Sequence, residues 1–168
     1  MKINPAAVLP QTAEENVRLL FMAEEGDIPV MLVELFQRMP WRLHFPASRT
    51  FISPSEAQAI SGLLLGSDCA ALLSVAQPES HLYAAFELKD DAGKKDLPKT
   101  IQTLLPEASL RTIERGGLWS LEFKNGDEPL WLRSHKGLLL LSSSREGLDL
   151  MIRAANDPGK RLELPWNN

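Results

Sequence analysis

The sequence predicts an α+β fold: a mainly antiparallel sheet with helices packed on one face, its elements in the order β-α-α-ββ-α-ββββ-α. Three observations carry this expectation. Short apolar or alternating runs bounded by Gly, Pro, Asn and Ser follow one another in pairs and in one longer series, as hairpins do. Runs with apolar residues three and four apart are fewer, and most begin at a recognisable cap. The composition is that of an ordinary globular chain, 44% hydrophobic and 24% charged over 168 residues. A chain of this length buries roughly 70% of the surface its unfolded form exposes, so residues 1–168 are expected to make one α+β domain that needs no metal or cofactor to fold.

The elements can be justified in order. After a lead punctuated by Pro5 and Pro10, the apolar run from Val17 to Ala23 suits a buried strand that ends at Glu24-Glu25-Gly26. Asp27 then caps a helix with Pro29 in its first turn, and Met31, Leu32, Leu35, Phe36 and Met39 recur on one face until Pro40. The segment from Trp41 to Ile52 has no clear period and reads as loop or irregular extended chain. Ser53-Pro54-Ser55-Glu56 is the best-marked helix start: the Ser53 hydroxyl accepts from the Glu56 amide while the Glu56 carboxylate reaches back. Ala57, Ile60 and Leu64 form its inner face, and Gly66 is expected to end it.

Two strands follow, Cys69 to Val75 and His81 to Leu88, joined as an antiparallel hairpin by Gln77-Pro78-Glu79-Ser80. Asp96 caps a short helix striped by Leu97, Ile101, Leu104 and Leu105 and closed by Pro106. From Ser109 to Ser142 the chain reads as four antiparallel strands divided at Gly116-Gly117, at Asn125 to Glu128, and at Ser134 to Gly137. Trp119, Leu121 and Phe123 alternate there with Ser120, Glu122 and Lys124, while Leu138 to Leu141 is apolar throughout and is therefore expected to be central. Ser143-Ser144-Arg145-Glu146 repeats the capping-box pattern, and Leu148, Met151, Ile152 and Ala155 stripe the final helix.

The same residues limit the chemistry. A formal net charge of -4 with Lys and Arg scattered among Asp and Glu leaves no electrostatic footprint for a phosphate backbone, so nucleic acid is not expected as a partner. No run of about 18 apolar residues exists to span a bilayer. The single Cys69 gives neither a disulfide nor zinc-ligand spacing and sits in a strand, where a thiol acts as a small hydrophobe. His44, His81 and His135 lie far apart with no second ligand at helical spacing, and the cations Arg133 and Lys136 beside His135 oppose both its protonation and a metal. Glu24-Glu25, Asp90-Asp91 and the mixed-sign run from Glu87 to Asp96 read as solvated turns.

Ser142-Ser143-Ser144 joins a strand to a helix, as hydrolase nucleophiles do, but lacks the Gly-x-Ser-x-Gly elbow, and capping accounts for it. No catalytic residue is therefore assigned. Among the four tryptophans, Trp119 and Trp131 are the candidate ligand contacts. They become cross-strand neighbours if Asn125 to Glu128 is their turn, and their role depends on which face of the sheet is covered.

The hairpin from His81, the runs Leu118 to Lys124 and Leu130 to Arg133, and above all Lys136-Gly137-Leu138-Leu139-Leu140-Leu141-Ser142-Ser143-Ser144 before an amphipathic helix together resemble a pattern in cell-envelope proteins of Bacteroidetes-type bacteria. These are secreted or lipid-anchored α+β proteins of unknown function. Ala7-Val8-Leu9-Pro10 also fits the start of such mature chains. The resemblance covers about half the chain and implies a topology and an envelope or periplasmic setting, with the cytoplasm as the alternative. Together with Leu162 to Asn168, which reads as the opening of a further apolar element, it leads to the expectation of an N-terminal domain from a larger protein. The lack of a coherent catalytic set, taken with this resemblance, leads to the expectation of a non-catalytic domain that binds a protein, glycan or envelope component, or serves assembly. The alternatives are a hydrolase using His44 or Ser144, and a structural oligomerisation module that would show an open sheet edge.

Overall fold

The computed structural model describes residues 3–11, 17–23, 26–38, 52–75, 80–90, 96–106, 108–123 and 129–163. Along the chain lie β1 (Val17–Ala23), α1 (Ile28–Arg38), α2 (Pro54–Leu64), β2 (Leu65–Val75), β3 (Ser80–Leu88), α3 (Leu97–Leu104), β4 (Ala108–Glu114), β5 (Leu118–Phe123), β6 (Leu130–His135), β7 (Leu138–Ser142) and α4 (Arg145–Asn156). Short 3-10 turns at Pro5–Val8 and Pro158–Lys160 flank them. The fold class and the element order are those expected. The strands form one seven-stranded sheet in the order β1-β2-β3-β7-β6-β5-β4, with every described pairing antiparallel.

Two meanders meet at the β3–β7 seam. After β3 the chain crosses through α3 to the far edge, then returns strand by strand to lay β7 beside β3. The all-apolar run from Leu138 to Leu141 ends up central, with all four leucines buried. Full burial of one such side chain favours the fold by about 1.5–3 kcal/mol, which is why an edge position would waste this strand.

Alternation divides the core into two layers. On the first face Leu73, Leu82, Phe86, Leu139, Leu141, Leu132 and Trp119 pack with Met31 and Leu32 of α1, Ala57, Ile60 and Leu64 of α2, and Leu97 and Ile101 of α3. On the second face Leu72, Tyr83, Ala85, Leu138 and Leu140 pack with Leu148, Met151 and Ala155 of α4. The expectation of helices on one face therefore holds for α1, α2 and α3, while α4 covers the other. The reason is tertiary: β7 is central, so the apolar residues on its second face also need a lid, and the chain leaving it is the nearest element.

Ala6, Val8, Leu9 and Leu162 join that second layer, so the proline-punctuated lead is a core element. Leu162 donates its amide to the Leu9 carbonyl at 2.8 Å, and Pro10 bridges to Arg161.

Several local expectations are met at atomic detail. Ser53 Oγ accepts from the Glu56 amide at 3.2 Å and Glu56 Oε2 accepts from the Ser53 amide at 2.7 Å, a complete capping box. Asp96 caps α3 through the Lys99 amide. Lys136 and Gly137, at φ of 48° and 81°, form the tight turn between β6 and β7, with left-handed backbone at both positions.

Two expectations are corrected. Gly66 does not end a helix: α2 passes directly into β2 at Leu65, and Gly66 lies in the strand where a Cβ would come within 2.8 Å of the Glu87 carboxylate. The start of the last helix is displaced by one residue. Ser144 is its cap, accepting from the Gly147 amide at 3.0 Å, so Glu146 does not occupy the reciprocal position of a capping box. Of the remaining expectations, those on Trp41, His44, Glu24-Glu25 and Asn125 to Glu128 lie outside the described residues.

Candidate binding surface

The two tryptophans named as candidate ligand contacts are not cross-strand neighbours. Trp119 stands opposite Leu132, and Trp131 opposite Ser120, so the indoles project from opposite faces of the sheet. Trp119 is buried in the first-face core beneath the helices, whereas Trp131 is half-buried at the margin of the second-face core. Beyond Trp131, Ser120 continues the row across β5 and Arg111 across β4. Arg111 pairs with Glu122 at 3.5 Å, and Arg145 of α4 reaches over to Glu114.

β4 ends this surface. It is held along its outer edge by Gln102 of α3, which accepts from the Leu110 amide at 2.8 Å and donates to the Ala108 carbonyl. Ser109 and every residue from Arg111 to Gly116 are exposed, Ile113 at 43%. Its register with β5 shifts between Thr112 and Glu114, a bulge that absorbs Ile113. Arg111 opposes Ser120 and Glu114 opposes Leu118, so both charges share the second face although three residues apart. A regular strand would set them on opposite faces, and for that reason alternation in the sequence does not disclose the pair.

The three serines and the cysteine considered for covalent chemistry have structural partners. Ser142 Oγ donates to the Leu82 carbonyl at 2.9 Å, Ser143 Oγ accepts from the Leu82 amide at 3.0 Å, and Ser144 caps α4. The three serines thus fasten β7 to β3 and start the helix. Gly147 is needed beside them, because a Cβ there would lie 2.1 Å from Ser142 Oγ. Cys69 is buried, 3.1 Å from Met31 Sδ, and its burial pushes the thiol pKa up to about 12, where no useful thiolate forms. The pKa of His135 is lowered by burial first, then by Lys136 and Arg133, and its Nε2 has no hydrogen-bond partner among the described residues. His81 stands opposite Ser74 and tilts against the Tyr83 ring at 6.4 Å. The buried Ser74 hydroxyl nevertheless makes no hydrogen bond among the described residues, so the pair lacks the contact a base-activated nucleophile requires. Among the described residues no group of His, Cys, Asp or Glu is placed to hold a metal ion, and no helix is long and apolar enough to cross a membrane.

No family model, curated protein or solved structure matches the chain. The strip running from Trp131 to Arg111 and Glu114 combines a half-buried indole, two ion pairs and a terminal strand, with Ser120 buried between them. What it can do is recognise another surface through stacking, charge-assisted hydrogen bonds and main-chain pairing.

Proposed function

We propose that the chain is a non-catalytic binding or assembly domain whose contact surface is the second-face strip from Trp131 to β4. The observation that carries this reading is the exposure of β4, with the half-buried Trp131 two strands away on the face that carries Arg111 and Glu114. The structural occupation of Ser142, Ser143, Ser144 and Cys69 supports it further, since none is left poised as a nucleophile. The residue pattern shared with envelope proteins supports an extracytoplasmic setting and a protein or glycan partner.

The test is capture of envelope proteins and a glycan array by the immobilised chain, repeated with Arg111→Glu and Trp131→Phe. Partner capture that falls at least about tenfold in Arg111→Glu, with the thermal melt unchanged, supports the reading. An empty screen together with measurable hydrolytic turnover by the purified chain sinks it.

A further inference from the structure

We infer that β4 is the interface of a two-fold dimer, in which it pairs antiparallel with β4 of a second copy and continues the sheet across both molecules. This rests on the reading of the chain as a binding or assembly domain and names the partner. β4 is the terminal strand at its end of the sheet and no described strand pairs with its outer edge; Gln102 occupies that edge at Ala108 and Leu110, so the stretch from Arg111 to Glu114 is the part offered to a second copy. Edge strands carrying charge and a bulge resist pairing with arbitrary strands. Here the same two features single out one register and one partner.

The charge pattern decides the register. The bulge at Ile113 leaves Thr112 one pleat from Arg111 on one side and one pleat from Glu114 on the other. A two-fold axis through Thr112 therefore sets Arg111 of one copy opposite Glu114 of the other, and the reverse, on the same face of the joined sheet. An axis through Arg111 would place that guanidinium against itself. In the favoured register each end of the interface reads Glu122, Arg111, Glu114 of the second copy, Arg145 of the second copy, strictly alternating in sign because Arg111–Glu122 and Arg145–Glu114 are already paired within each chain. Both central side chains are accessible, Arg111 at 67% and Glu114 at 45%. A strand that is its own electrostatic complement about an axis meets the self-complementarity a two-fold interface requires. The exposed Ile113 adds apolar surface beside it.

Charge swapping tests the proposal. Homodimers of the Arg111→Glu variant would set carboxylate against carboxylate at each end of the interface, and homodimers of the Glu114→Arg variant would set guanidinium against guanidinium. Each variant alone should self-associate at least about tenfold more weakly than the wild type in sedimentation equilibrium, while an equimolar mixture of the two should recover dimer. Thr112→Cys, on the axis, should cross-link under mild oxidation because directly opposed residues bring their Cα atoms within disulfide range, while Asp149→Cys on the exposed side of α4 should not. The buried Cys69 keeps the background low. A wild type that stays monomeric and a Thr112→Cys variant that fails to cross-link overturn the dimer, as does a mixture no more dimeric than its components. Failure of the wider binding reading is distinguishable, since it shows in the capture screen instead.

Discussion

At the scale of single residues, side chains that invite chemical interpretation are explained by packing. The Ser142–Gly147 contact is the sharpest case, because the hydroxyl occupies the space a methyl group would need. Gly147→Ala should cost about 1–3 kcal/mol by overpacking, read as a lowered urea midpoint. In a Ser142→Ala background, which itself loses about 1 kcal/mol with the bond to Leu82, the same substitution should cost clearly less, and equal costs in the two backgrounds would refute the contact. His135 supplies the pH dependence. Its folded pKa lies below the ordinary value of 6.5, so the unfolded chain takes up the proton first as pH falls. Its contribution to stability is full above that value and is lost as pH drops through it. His135→Gln should therefore flatten the decline in urea midpoint between about pH 7.5 and about pH 5, and an unchanged slope would count against this account.

At the scale of elements, α2 is the one whose start is encoded most completely in local sequence. Ser53, Pro54 and Glu56 satisfy its first amides in both directions. Ser53→Ala should lower stability by about 0.5–2 kcal/mol, measured by denaturant unfolding, and Glu56→Ala in that background should add less than it does alone, because the two halves of the box depend on each other. The final helix shows where such reasoning stops. A run of three serines offers two capping frames, and the choice of Ser144 follows from Ser143 being drawn to the Leu82 amide, a residue on a strand sixty-one positions away. The bulge of β4 is only partly visible in the sequence. Alternation breaks at Arg111-Thr112, two polar residues between Leu110 and Ile113, but pairing with β5 decides where the extra residue goes.

At the scale of the molecule, protection should follow the sheet order. β3 and β7 lie at the seam with neighbours on both sides and core on both faces, so their amides should be the slowest to exchange with deuterated water. The amides of β4 should exchange among the fastest of the strand amides at low protein concentration. Protection of β4 that rises with concentration while β7 stays constant would match the two-fold dimer, and β4 exchanging as slowly as β7 in dilute solution would contradict the architecture.

The candidate surface is legible in the sequence only in part. Trp131 is marked by its residue type, but nothing local in Arg111, Thr112 and Glu114 shows that the two charges share a face. The sequence by itself determined which segments are helices and strands, their order, the cap of α2, and the central place of the leucine strand. These rest on periodicity, capping and burial within about a dozen consecutive residues. Only the tertiary structure decided that α4 and the Pro5–Val8 turn cover the second face, that Trp119 and Trp131 face apart, and that Arg111 and Glu114 stand together. Each depends on which distant segments meet. Local patterning makes a strand's two faces apolar or polar, but the element that covers each face is chosen by the folded chain as a whole.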